Sequence, residues 1–396
     1  MLSRSKLNFS KILMGHVGAQ LISFAFYPIL TRIYDPDDFG VFGFFNSIVQ
    51  ITAIYSTGQL HVGMLSFKDD VSIRGLFSAS LVLNFMISTL ILFVLSILYF
   101  YGLIDLIYLL VPVGVFLYGS LEIVNNWAVS RDVLGLKGVL VNVNRLCSNV
   151  LKLFGSTSLF LVISELIANS TSLLFFMTKC WGDFVLGLKS LKIVDVLKKN
   201  KSFPLFFTFY VLSQVLSSEA VTIYLKRYLS SSEVGIFFLA NKLFVQTALI
   251  VSSSLSFAFN HLLIEGHDKR QQLYSKVMKL YIAGLLLSVA LWFPNYGSLI
   301  RLLFGGKWID LENVINYFFF LSPVKLLVGF CAYIILLSGK MKFIAIFKIA
   351  QFLGLYLALQ TGFSDLENFL KIFVPLEVFF DSVFIIWGYQ LVKRAN

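Results

Sequence analysis

Apolar residues run along this chain in long blocks rather than in alternation. Leu81 to Phe100 and Tyr281 to Phe293 contain no charged side chain, whereas membrane strands would show alternating segments of about ten residues. Taking about 20 residues per helical span, the pattern predicts helices near 12–31, 40–64, 76–100, 106–129, 139–155, 158–178, 203–225, 235–258, 280–300, 314–337, 343–360 and 368–391. The fifth and sixth are separated only by Gly155 to Ser158. The first block follows Arg4, Lys6 and Lys11. It exceeds the roughly 7–15 apolar residues of a signal peptide and no small-residue cleavage site follows, so it reads as a span.

Composition agrees with the pattern. Hydrophobic residues make up 58% of the chain and charged residues 13%, against roughly 45–50% and 25% in soluble domains. A soluble fold could not bury so much apolar surface, whereas helices in a bilayer need only satisfy their own backbone. The net charge of +11 is a topology signal. With the N-terminus inside, 21 basic residues fall on cytoplasmic segments and five outside: Arg32, Lys226, Arg227, Arg301 and Lys307. That split places both termini in the cytoplasm and leaves nucleic acid without support as a partner.

The longest polar connection, Lys179 to Ser202, holds six lysines and divides the chain into 1–200 and 201–396, six spans each. Its Val185 to Lys201 stretch suits either a helix lying on an anionic membrane surface or a solvated linker. The halves match weakly at an offset of 195: Arg32 with Arg227, Gly40 with Gly235, Phe42 with Phe237, Asn46 with Asn241. Six spans per half make the repeats parallel, a known transporter plan. The expected fold is an all-α integral membrane protein of about twelve transmembrane helices, in two six-helix lobes around a central cavity.

Eleven charged residues fall within the spans: Arg145, Lys152, Lys242, Lys325, Lys348, Lys371, Glu122, Glu165, Glu219, Glu377 and Asp381. Each costs about 2.5–3.5 kcal/mol at mid-membrane unless it meets water or a partner. Asn142, Arg145, Asn149, Lys152 and Ser156 share one face of the fifth span; Asn46, Gln50, Thr57 and His61 do so in the second, and Lys242, Gln246 and Ser253 in the eighth. These faces are expected to line a polar cavity and bind substrate. The plainer reading is interhelical pairing, for example Glu219 with Lys242, and Lys371 and Asp381 have the simpler role of snorkelling to the membrane surface.

Residues 28–46, PILTRIYDPDDFGVFGFFN, carry Pro28, Thr31, Arg32, Tyr34, Pro36, Phe39, Gly40 and Phe42, with Gly18-Ala19-Gln20 upstream. This segment resembles the start of Wzx-type O-antigen flippases, in the polysaccharide transport branch of the MOP exporters. The resemblance implies a bacterial inner-membrane protein of lipopolysaccharide biosynthesis that moves undecaprenyl-pyrophosphate-linked oligosaccharide to the periplasmic leaflet. Membrane lipids and the polymerase and chain-length regulator of the same pathway would be its partners. A pyrophosphate needs basic groups, for which Arg145, Lys152, Lys242, Lys325 and Lys348 are the candidates. Glu122, Glu165 and Glu219 are candidates for carrying a coupling proton.

Other classes fit less well. A multidrug exporter of the same superfamily would favour an acid-lined site, and the first span has no Asp or Glu. The second-to-third connection, SFKDDVSIRG, lacks the major-facilitator pattern, and a polymerase would carry a large outer loop. There is no P-loop, nucleophile elbow or paired-carboxylate motif, so neither catalysis nor a cofactor is expected. Cys147, Cys180 and Cys331 are widely spaced, and His261 and His267 with Glu265 do not have zinc spacing. The charge split predicts that a fluorescent protein fused after Asn396 will be bright and an alkaline phosphatase fusion there inactive; the opposite pair of results would reverse the topology.

Overall fold

The computed structural model describes residues 2–67, 69–131, 133–189, 208–249, 251–252, 267–291, 296–337, 341–360 and 362–394. It is all-α, with no strand among the described residues. Twelve principal helical segments follow in order: α1 Leu2–Ile33, α2 Pro36–Ser56, α3 Asp70–Phe100, α4 Val111–Ser130, α5 Leu134–Lys152, α6 Ser158–Lys189, α7 Thr208–Tyr228, α8 Ser231–Ala240, α9 His267–Ala290, α10 Leu311–Leu337, α11 Met341–Leu359 and α12 Leu366–Arg394. Each lies at one of the twelve expected positions. Five stretches among the described residues are long and apolar enough by themselves to cross a membrane: Pro36–Ser56, Asp70–Phe100, Leu106–Ser130, Ser158–Lys189 and Leu311–Gly329. The chain is thus a multi-pass membrane protein.

Two expectations shift at helix ends. α5 stops at Lys152, capped at Leu153, so Ser156 lies in the connection and not on the helical face. The sixth helix continues to Lys189, taking in the start of the lysine-rich segment whose later residues, 190–207, lie outside those described, as do Ser253, His261 and Glu265.

The helices group into two compact units. One is Phe42–Tyr224; the other joins Met1–Val41 to Leu225–Asn396. Each holds six principal helices, but α1 belongs with α8–α12 and most of α7 with α2–α6. The units therefore differ from the sequence halves 1–200 and 201–396 by an exchange of the first helix of each half.

Inside the Phe42–Tyr224 unit, the buried Asn84 of α3 accepts from Ser56 Oγ at 2.7 Å and donates to the Phe116 carbonyl at 2.9 Å and Ser120 Oγ at 3.1 Å. One amide thus ties α2, α3 and α4 where the solvent offers no competing partner. The opposite side of α3 shows Phe85, Met86, Leu90 and Phe93 outward, the face hydrocarbon would cover.

In the other unit the decisive contact is between two glycines. A Cβ on Gly40 would lie 1.9 Å from the Ser231 carbonyl oxygen, and one on Gly235 would lie 1.8 Å from that of Pro36. The contact is reciprocal at the 195-residue offset, since Gly40 meets the equivalent of Pro36 and Gly235 meets Pro36 itself. Only hydrogen fits at either site because the obstacle is backbone. The Ser230–Glu233 capping box starts α8, and Glu233 also accepts the Leu366 backbone N–H at 3.0 Å, anchoring the N-terminus of α12.

We expect Gly40→Ala and Gly235→Ala each to lower stability by about 1–3 kcal/mol through overpacking. Gly75→Ala, with nothing within 4 Å of its Cβ position, should raise it by about 0.5–1 kcal/mol through helix propensity. Thermal unfolding of the purified protein in detergent checks this; three variants behaving alike would contradict it.

Candidate functional site

α5 carries the first charged group. Arg145, Ser148 and Lys152 lie three and four residues apart and all reach Glu165 on α6: Arg145 at 3.3 Å, Ser148 Oγ at 2.6 Å and Lys152 Nζ at 2.8 Å. Asn144 closes the helix pair by donating to Ser172 Oγ at 2.8 Å. Two cations thus converge on the Glu165 carboxylate. The Lys152 side chain is buried and sits 4.8 Å over the Phe42 ring, while that of Arg145 is 50% exposed. Asn142 and Asn149 turn back onto their own helix, donating to the Gly138 and Arg145 carbonyls at 2.9 Å each. Glu165, expected as a proton carrier, is instead held by three donors.

The same unit contains a cavity of about 200 Å³. α2 presents Gln50 and Thr57 to it from one face, α4 presents Tyr118 and Glu122, and α7 contributes Val211 and Val215. The turn after α2 adds Gln59 and His61. Gly58 and Gln59 have φ of 52° and 50°, and this left-handed step lets the chain fold back so that both side chains reach the space. Asn46 is half-buried farther up α2 and does not line it. Glu219 is buried and accepts from Ser47 Oγ at 2.7 Å.

The second charged group lies in the other unit, on α10, α11 and α12. Lys325 donates to Glu377 and, at 2.6 Å, to Asp381; Lys348 donates to Asp381 at 3.1 Å and to Gln351 Oε1 at 2.7 Å. Gln351 Nε2 donates to Glu377 at 3.0 Å and Asp381 at 3.1 Å. Two lysines meet two carboxylates, so the network is neutral and wholly buried. Asp381 is therefore not a snorkelling residue; its side chain has no exposed area. Lys371 is the exposed one, paired with Glu367 at 2.9 Å one turn away.

Lys242 lies in a π-helical stretch, Asn241–Gln246, and donates to Gln246 Oε1 at 2.7 Å while lying 5.0 Å over the Phe238 ring. The carbonyls loosened there are used: Thr247 Oγ1 donates to that of Lys242 at 3.2 Å and Ser322 Oγ to that of Phe244 at 3.0 Å. Such π stretches recur at functional positions in helices.

The segment 28–46 turns out to be architectural. Trp308 Nε1 donates to the Thr31 carbonyl at 2.9 Å, Phe39 meets the Trp308 ring edge-on at 5.1 Å, and Arg32 donates to the Leu302 carbonyl at 2.8 Å. Pro36 and Gly40 form the glycine crossing. Pro28 lies inside α1, where Thr31 Oγ1 returns a hydrogen bond to the Tyr27 carbonyl at 2.9 Å.

No family model and no curated protein matches the chain. Solved structures do. The MATE transporter VcmN of Vibrio cholerae, as an aspartate-to-asparagine variant, is 15% identical and superposes with a TM-score of 0.60, covering 100% of this chain and 97% of its own. An inward-facing multidrug resistance MATE transporter of the MOP superfamily is 13% identical at a TM-score of 0.58, covering 100% and 96%. This chain has the MATE transporter fold. A third likeness, at 13% identity, a TM-score of 0.54 and coverage of 98% and 95%, is a MOP superfamily transporter of Pyrococcus furiosus whose binding pocket is described as having reverse polarity. At these identities the MATE likeness speaks for the fold alone, and the substrate must be argued from side chains.

Some of the group was hidden in the sequence. Gln351, Glu377 and Asp381 gave only local signals, namely a glutamine one turn from Lys348 and two acids four residues apart. Their convergence depends on three helices. Because breaking a buried ion pair strands its partner, Asp381→Asn should destabilise the protein by about 3–5 kcal/mol, whereas Glu367→Gln should leave the unfolding midpoint unchanged. Equal effects on unfolding in detergent would refute the distinction.

Proposed function

We propose that this chain is a secondary transporter, not an enzyme, that moves a lipid-linked oligosaccharide bearing a pyrophosphate from the cytoplasmic to the periplasmic leaflet of a bacterial inner membrane. The observation that carries the proposal is the α5–α6 group. A half-exposed guanidinium stands beside a lysine on the Glu165 carboxylate and offers planar donors to an anionic headgroup. Each charge-assisted contact of this kind contributes about 1.5–3 kcal/mol. The resemblance of residues 28–46 to Wzx-type flippases supports the same substrate. Lys325 and Lys348 drop out as headgroup ligands because their charge is already matched; Lys242, steadied by Gln246, stays a candidate.

The repeat belongs to this reading. Residues 1–200 and 201–396 are equivalent six-helix repeats in sequence, supported by the reciprocal Gly40–Gly235 crossing, in a protein that works by alternating access. With no nucleotide motif, the driving force is electrical: a departing anion gains about 2.3 kcal/mol per charge per 100 mV of inside-negative potential. Glu122 is the acid best placed to add a proton step, since it alone among Glu122, Glu165 and Glu219 lines the cavity.

A second reading is multidrug export. What favours it is that cavity, which has one carboxylate and no lysine or arginine in its lining, together with the multidrug transporter among the structural likenesses. Vesicles carrying the purified protein separate the two. Undecaprenyl-pyrophosphate-linked oligosaccharide should flip, faster under an imposed potential and without a pH gradient, and Arg145→Ala should slow flipping about 10- to 100-fold with Arg145→Lys intermediate. Export of an organic cation with no flipping, or full flipping in both Arg145→Ala and Lys152→Ala, would overturn the proposal.

A further inference from the structure

The cavity in the Phe42–Tyr224 unit is set apart from the charged groups by its chemistry. Its polar lining is amide, hydroxyl and imidazole: Gln50, Thr57, Gln59, His61 and Tyr118, with Glu122 the single ionisable acid. Ile54, Val211 and Val215 supply apolar wall. His61 is 2% exposed, yet its Nδ1 has no hydrogen-bond partner in the protein. A buried polar atom with no partner, in a residue that lines the cavity, calls for a partner from outside the chain.

The ligand class follows from three constraints. An anion is disfavoured, because no basic side chain lines the space and Glu122 would repel it. The volume of about 200 Å³ holds roughly a dozen water-sized atoms at 10–15 Å³ each, about the size of one pyranose ring. Sugar hydroxyls both donate and accept, so they can satisfy His61 Nδ1 in either tautomer as well as both ends of the Gln50 and Gln59 amides. The carbon-bearing face of such a ring suits the Tyr118 ring and the valine and isoleucine wall.

We propose that this cavity is a subsite for one neutral sugar ring. The inference rests on the lipid-linked oligosaccharide reading and adds to it where a sugar is recognised. Gln50 and Thr57 hold the ring from α2, Tyr118 covers it from α4, and His61 closes the buried end. Glu122 accepts from a hydroxyl at the α4 side.

The test needs no transport. Full-length protein in lipid nanodiscs is titrated with methyl hexosides and methyl N-acetylhexosaminides, with inorganic pyrophosphate and tetraphenylphosphonium as comparison probes, and binding is read by saturation-transfer NMR and thermal shift. At least one neutral glycoside should bind saturably, neither comparison probe should compete, and His61→Leu should weaken binding at least tenfold while His61→Gln retains part of it. If His61→Leu does not fold, Gln50→Leu and Thr57→Val read the same walls. No saturable glycoside binding, or a cavity that takes tetraphenylphosphonium and loses it in Glu122→Gln, would overturn the subsite. Flipping of the lipid-linked substrate without glycoside binding would remove the subsite alone; glycoside binding without flipping would remove the transport reading alone.

Discussion

A charge carried into hydrocarbon must be answered by another group of the same protein, and most of this structure's internal order follows from that requirement. Glu165 is answered by Arg145, Lys152 and Ser148, and Asp381 by Lys325, Lys348 and Gln351. The pairings cross helices, so they fix which faces meet. Lipid cannot do this by itself, since it solvates one apolar face as well as another.

The two charged groups solve the problem differently, and the difference separates structure from function. On α10–α12 two cations match two anions and leave nothing over, which favours rigidity. On α5–α6 two cations meet one anion, and the more exposed of them, Arg145, keeps donors for something else. The cavity beside α2 and α4 differs from that group, with amides, hydroxyls and one carboxylate but no lysine or arginine in its lining. An amphipathic substrate with an anionic headgroup and a sugar portion would use both kinds of surface.

Backbone proximity sets the second constraint. Where α2 and α8 begin, Gly40 and Gly235 let one chain lie against the other with no side chain between. Thr31, Arg32 and Phe39 pack around Trp308 beside that crossing. The segment that resembles the Wzx-type flippases thus also forms a packing joint.

By itself the sequence determined the all-α class and where the principal helices fall, because spanning length and charge are local properties. It also showed the Arg145–Lys152 face, which follows from the period of one helix, whereas His61 joins Gln50 and Thr57 only through the left-handed turn after α2. Tertiary structure decided what such faces meet. Asp381, readable as an acid snorkelling to the membrane surface, became the centre of a buried network because α10 and α11 bring lysines to it. Only the tertiary structure could reveal that α1 packs with the later helices, since a helix's partner depends on which distant charge, glycine or indole lies beside it and not on its own order in the chain.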